Sequence, residues 1–176
     1  MDTTSFETAL MLWLHRHSDG LFTPVALTLH YLGKTAAASL LTVLAAWLLG
    51  RHLGRKTALF VIAAPLAAAL NMWLLKICIQ RPRPMLWPRL VEEHGFSFPS
   101  GHSTFAAAAA TVAVLLCRRT RLRTPAVLAA AAFALLMGYS RVWLGVHYPS
   151  DVLAGWLNGT AVSLLVYTLI FRHKPS

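Results

Sequence analysis

Five apolar runs, each near the length that crosses a lipid bilayer, constrain this chain more than any other feature. They cover residues 35–50, 57–75, 103–117, 124–140 and 151–171, and charged or turn-forming residues separate them. A spanning helix needs about 20 residues, with roughly 17 as the lower limit. The third run is short by that measure, so its helix is expected to begin inside Pro99–His102, and the first is expected to borrow residues before Lys34. Pro65 is expected to kink the second run without ending it, because neighbouring helices can satisfy the freed carbonyl. With 57% of residues hydrophobic and only 12% charged, the chain carries about half the charge of a soluble domain. The fold class that follows is all-α: a polytopic membrane helix bundle with five predicted transmembrane helices, forming one domain over residues 1–176.

The N-terminal region, residues 1–34, does not fit the spanning pattern. Residues 5–17 and 21–33 are apolar but too short to cross separately, and the polar stretch His15–Gly20 parts them. They read as interfacial amphipathic helices preceding the bundle. No basic segment precedes them, so a cleaved signal peptide is not expected. The Ala106–Ala110 run is expected to allow close helix packing.

The charge balance, 16 Lys+Arg against 6 Asp+Glu, has two explanations. A nucleic-acid binder would present a solvated basic face, and this chain is too apolar to do so. Loop cations of a membrane protein give the same balance. One side of the predicted bundle collects nine cations and no acid: Arg51, Arg55, Lys56, Arg118, Arg119, Arg121, Arg123, Arg172 and Lys174. The positive-inside rule places that side in the cytoplasm, with the N-terminus outside and the C-terminus inside. Cys78 and Cys117 then lie near opposite faces, too far apart to pair, and both are expected to be buried packing residues.

Three polar stretches fall together on the opposite, outer face: Lys76-x6-Arg83-Pro84, Pro99-Ser100-Gly101-His102, and Ser140-Arg141-x5-His147-x3-Asp151. Ionisable groups in or beside membrane spans are costly and mark function. His147 and Asp151 are one helical turn apart, so the carboxylate can reach the imidazole, fix its tautomer and leave Nε2 free as a nucleophile. Ser100 and Gly101 open a helix whose unpaired N–H groups suit a phosphate oxygen, and His102 can protonate a leaving oxygen. Lys76, Arg83 and Arg141 can neutralise the equatorial oxygens of a transferring phosphoryl group. Taken singly, each residue has a plainer reading as a span-end cation, a helix cap or a loop histidine. Three spacings recurring on one face do not arise that way. His15, His17, His30, His52, His94 and His173 show no site-like spacing, Glu92 and Glu93 read as a solvated loop, and Trp87, Trp143 and Tyr148 read as interfacial aromatics.

The three stretches over residues 76–151 resemble, position for position, the signature of the type 2 phosphatidic acid phosphatase (PAP2) superfamily. The resemblance implies an integral-membrane lipid phosphatase in which His147 forms a phosphohistidine oriented by Asp151. It also implies that His102 is the acid and base, and that Lys76, Arg83, Ser100, Gly101 and Arg141 bind phosphate. No metal and no other cofactor is implied. The implied partners are a lipid phosphate substrate and the phospholipid membrane, with no nucleic acid. The resemblance is to the short bacterial branch, in which the first transmembrane helix of six-span members is expected to be absent. That branch implies the bacterial inner membrane, with the active site facing the periplasm or cell exterior. Undecaprenyl pyrophosphate is the favoured substrate; phosphatidylglycerophosphate, phosphatidic acid and the 1-phosphate of lipid A are the alternatives. Transfer to another lipid instead of water, and an inactive lipid-binding or transport protein on the same fold, also remain open.

Overall fold

Lys34, Gly54 and a left-handed Gln80 are the breaks that set how this apolar chain is cut into rods. In the computed structural model, which describes residues 3–18 and 20–171, the order is α1 Thr3–Arg16, α2 Thr23–Gly33, α3 Thr35–Leu53, α4 Arg55–Ile79, α5 Gly101–Cys117, α6 Arg123–Trp143 and α7 Pro149–Phe171. Lys34 has extended backbone (ψ 144°) and separates α2 from α3. The first span therefore does not borrow residues before Lys34; it lengthens at its other end, to Leu53. Gly54, at φ 90°, takes a left-handed conformation that suits a residue without Cβ. It makes a tight reversal into α4, so α3 and α4 pack side by side.

Among the described residues, four helices, α3, α4, α6 and α7, are long and apolar enough to cross a membrane. The fifth, α5, has 17 residues and begins at Gly101, inside the expected stretch. It packs against α4, α6 and α7 and forms the centre of the bundle. Most large aliphatic side chains of α3 and α4 face outward, among them Leu40, Val43, Leu48, Leu66 and Leu70. Lipid is the medium that covers such a surface. Cys78 is also exposed, not buried as expected from its apolar setting. α4 runs unbroken through Pro65.

Small residues bring α5 and α7 into close contact, as the alanine run predicts. A Cβ on Gly155 would lie 2.7 Å from the Ser100 carbonyl oxygen, and one on Gly159 would collide with the carbonyl of Thr104. Farther along the bundle, Asn71 of α4 donates to the buried Asn158 of α7 (2.6 Å), and Asn158 donates to the Ala68 carbonyl (2.9 Å). In hydrocarbon these amides have no water to turn to, so the pair ties α4 to α7. The starts of α5 and α7 are joined directly, since the Ser100 N–H donates to the Asp151 carbonyl (2.9 Å). That bond lies at the end of the bundle where all three sequence motifs end up. Gly159→Val should wedge α5 from α7 and lower the midpoint of thermal unfolding in detergent, with loss of activity; an unchanged midpoint would show that the contact is dispensable.

Candidate active site

Lys76 lies in the last turn of α4, Ser100 caps α5, Arg141 lies in the last turn of α6, and Asp151 lies in the first turn of α7. Up-and-down packing puts these four helix ends at one pole. The connecting segments 80–100 and 144–148 lie across it, carrying Arg83 and His147. All eight residues singled out in the sequence are thereby brought together.

His147 is 1% exposed. Arg83 Nη1 lies 3.1 Å from His147 Nε2. A guanidinium only donates, so Nε2 carries the lone pair and Nδ1 the proton. Nδ1 lies 3.6 Å from Asp151 Oδ2 and 3.4 Å from Ser97 Oγ, and the Ser97 hydroxyl donates to that same carboxylate oxygen. The direct one-turn contact expected between His147 and Asp151 is thus shared with a serine that carried no sequence signal. Burial pushes His147 down to about 4; Arg83 and Arg141 add to this, and Asp151 opposes it. The imidazole is therefore neutral at physiological pH with its lone pair on Nε2.

His102 is oriented from below. Its Nε2–H donates to the backbone carbonyl of His30 (3.0 Å), and the two rings stack at 5.5 Å and 10°. Nδ1 is left facing the pocket, where it can exchange a proton. The stack is possible because residue 33 is glycine: a Cβ there would run into the His102 ring. Ser100 caps α5 as expected, its Oγ accepting from the Ser103 N–H (3.4 Å). At Gly101 no protein atom forbids a side chain, since a Cβ would make ordinary contact with Met72 Cε (3.5 Å). Its bareness leaves room on the cavity side instead.

Two expectations fail here. His30, which spacing left outside any site, accepts at Nδ1 from Arg141 Nη1 (3.2 Å) and sits fully inside the cluster. Glu93 is not a solvated loop residue. Its carboxylate lies 2.8 Å from Arg141 Nη2, 3.4 Å from His30 Nδ1, 3.6 Å from Arg83 Nη2 and 3.9 Å from His102 Nδ1. Burial pushes its carboxyl up, but Arg141, His102 and Arg83 outweigh this and hold it below the usual carboxylate range. Both residues escaped notice because each lies outside the three motifs and meets them only through the fold. His30, Glu93 and His102 offer donor atoms close enough to share a metal ion. Arg141 already supplies the positive charge that Glu93 requires, so the cluster suits an anion better than a second cation. Arg141 itself is 0% exposed and, among the described residues, its Nε has no hydrogen-bond partner, an open donor within the cationic cluster. Lys76 closes the pocket on the other side, donating to the Phe96 carbonyl at 2.6 Å.

A cavity of about 500 Å³ leads away from this cluster between α3, α4 and α5. Lys76, Arg83, His102 and His147 line its head, and Thr42, Val43, Ile62 and Leu66 line its far part. Val43 lies eight residues into α3, about 12 Å along the helix axis from its start. The cavity therefore joins a head lined by cations and histidines to an apolar groove at membrane depth.

The fold and site define a polytopic helical membrane protein with a cluster of cationic side chains built around two histidines. The PAP2 superfamily model matches residues 56–175, and the chain belongs to that family. It is 34% identical over 141 residues to the undecaprenyl-diphosphatase BcrC of Bacillus subtilis, covering 76% of this chain and 66% of that protein. It is 46% identical over 85 residues to the lipid A 1-phosphatase of Rhizobium etli, covering 45% of this chain and 34% of that protein. The chain thus spans from a third to just under two thirds of the length of these relatives. The crystal structure of a transmembrane PAP2 type phosphatidylglycerolphosphate phosphatase from Bacillus subtilis superposes with a TM-score of 0.87 at 28% identity, over 98% of this chain and 88% of that one.

Since Glu93 takes up cationic groups that a bound anion would use, Glu93→Gln should lower the inhibition constant of inorganic phosphate. The expected change is about fivefold or more, as unit charges about 4 Å apart interact by ~1 kcal/mol even in bulk water. An unchanged constant would place Glu93 outside the anion position.

Proposed function

We propose that this protein is a metal-independent lipid phosphatase that works through a phosphohistidine on His147. The observation that carries the reading is the placement of Lys76, Arg83, His102 and His147 at the head of a groove that runs to membrane depth, with Arg141 bonded to Glu93 and His30 beside them. His147 Nε2 attacks phosphorus. Arg83 turns its Nη1 from that lone pair to a phosphoryl oxygen, while Lys76, Arg141 and the N–H groups at the start of α5 hold the other oxygens. As the N–P bond forms and the P–O bond to the leaving group breaks, a protonated His102 gives its Nδ1 proton to the departing oxygen. A water molecule then attacks phosphorus and His102 takes its proton; the Nε2–P bond breaks, its electron pair returning to His147 Nε2, and inorganic phosphate leaves. Asp151, with Ser97, holds the Nδ1–H tautomer of His147 throughout.

The favoured substrate is undecaprenyl pyrophosphate, cleaved at the outer face of the bacterial inner membrane. Two features support it: the similarity to an undecaprenyl-diphosphatase over 76% of the chain, and a groove that accepts an apolar chain from the side. Phosphatidylglycerophosphate or phosphatidic acid is the alternative, favoured by the extent of structural similarity to the Bacillus subtilis phosphatase; the 1-phosphate of lipid A is a third. Phosphate release from these lipids in detergent, with and without EDTA, separates them. His147→Ala should abolish release from every one, EDTA should leave release intact, and vanadate should inhibit. Appreciable turnover by His147→Ala would sink the mechanism, and a strict Mg²⁺ requirement would call for a different site.

Orientation is tested separately. Cysteines placed by Glu92→Cys and Thr120→Cys, with Cys78 and Cys117 replaced by alanine, should differ toward an impermeant maleimide on spheroplasts. The first should label and the second should not; the reverse would put the site at the inner leaflet.

The pH dependence follows from His147. Its protonation constant falls from 6.5 to about 4 on folding, so the unfolded chain binds more protons between those values. Stability is therefore fully present above pH 6.5 and is lost as pH falls toward 4. Thermal unfolding in detergent should show this slope, and His147→Asn should flatten it.

A further inference from the structure

Arg81 stands two residues before the motif arginine, at one of the unspecified positions inside the first polar stretch, and it is tied to the carboxylate behind the nucleophile. Its Nη1 donates to Asp151 Oδ1 (2.8 Å) and to Ser150 Oγ (2.7 Å). Its Nη2 donates to Glu7 Oε2 (2.8 Å), and its guanidinium lies over the Tyr148 ring at 4.0 Å. Glu7, on α1, spends its second oxygen on the start of α7, where Oε1 accepts the Ser150 N–H (2.7 Å). The Arg81 carbonyl in turn accepts the N–H of Ser97, the serine that bridges Asp151 and His147 (2.8 Å).

These contacts divide the work on Asp151 between its two oxygens. Oδ2 takes the Tyr148 N–H (2.8 Å), the Ser97 hydroxyl and the side facing His147. Among the described residues, Arg81 is the sole donor to Oδ1. A carboxylate gripped at one oxygen can still rotate about its Cβ–Cγ bond; gripped at both, it cannot. The guanidinium is a planar fork, and Arg81 uses one nitrogen for each acid, a geometry a single ammonium cannot copy. Docking α1 alone would not require this, because Glu7 already bonds the α7 backbone.

We propose that Arg81 is a positioning residue for the Asp151–His147 pair, and that Glu7 holds it there, so that the N-terminal helix α1 is part of the support of the active site. The proposal rests on the roles given above to Asp151 and His147. Burial works against the charge on Arg81, but Glu7 and Asp151 outweigh it and raise its proton affinity, so the cation persists at any working pH.

The experiment measures phosphate release from undecaprenyl pyrophosphate and from dioctanoyl phosphatidic acid in detergent, using whichever the wild type turns over faster. Arg81→Met should lower kcat roughly 10- to 100-fold, the usual effect of losing a group that orients a site ligand, with KM within about twofold. Arg81→Lys should recover part of the loss. The acid limb of the Arg81→Met profile should move to higher pH, because an Asp151 freed of its cation pulls harder on the His147 proton while Arg83 and Arg141 stay in place. In an Asp151→Asn background, adding Arg81→Met should cause no further loss. Unchanged kcat in Arg81→Met, a change confined to KM, or losses that multiply with Asp151→Asn would each overturn the proposal. Full activity in Asp151→Asn alone would overturn the underlying site assignment and the proposal with it. If Arg81→Met does not purify as a monodisperse protein, Glu7→Gln decides: a threefold or greater fall in kcat at unchanged KM supports the proposal, and no fall overturns it.

Discussion

A buried carboxylate at the start of α7 needs donors on every side, and one pole of this bundle is organised around meeting that need. Asp151 is 0% exposed. An isolated carboxylate in such a place would be neutralised or expelled. Here it is met by Arg81, by the Ser97 hydroxyl and by the Tyr148 N–H, while its own backbone carbonyl fastens Ser100, the cap of α5. The donors come from the two ends of the 80–100 segment and from the turn before α7. Satisfying one charge therefore gathers the segment after α4, the start of α5 and the turn before α7 into a single assembly.

The same rule of compensation governs the pocket beside it. Arg141, buried at the end of α6, is answered by Glu93 and His30, and Glu93 is shared with Arg83 and His102. The carboxylate thus stands among the groups proposed to receive a phosphate. Such a pocket can keep its cations paired when empty and release them to a more highly charged anion. The apolar groove below matches this polar head in chemistry, since a lipid phosphate has the same two parts.

Much of the fold was legible in the chain because a bilayer admits few backbone solutions. Runs of roughly twenty apolar residues must be helices there, and the observed helices follow the expected ones closely. The differences sit at ends. The first span grew at Leu53 and not across Lys34, because the extended backbone at Lys34 ends one helix and begins the next. The eight candidate residues that the structure brings together could be singled out because local spacing carries them: a cap before a helix, a histidine one turn from an acid, cations at span ends.

What the sequence determined by itself was therefore the medium, the number and rough extent of the helices, and the residues of the three polar stretches, all of which depend on short-range pattern. Only the tertiary structure decided what completes the site. Ser97 between His147 and Asp151, His30 beneath His102, Glu93 among the cations and Arg81 with Glu7 behind the carboxylate all come from positions with no local signature. Their placement depends on which helix ends share a pole, and on where the 80–100 segment and α1 fold back across it. The physical reason is that burying several charges together is a collective requirement. Each charge fixes its partners by proximity in space, and a pattern of neighbours along the chain does not encode that.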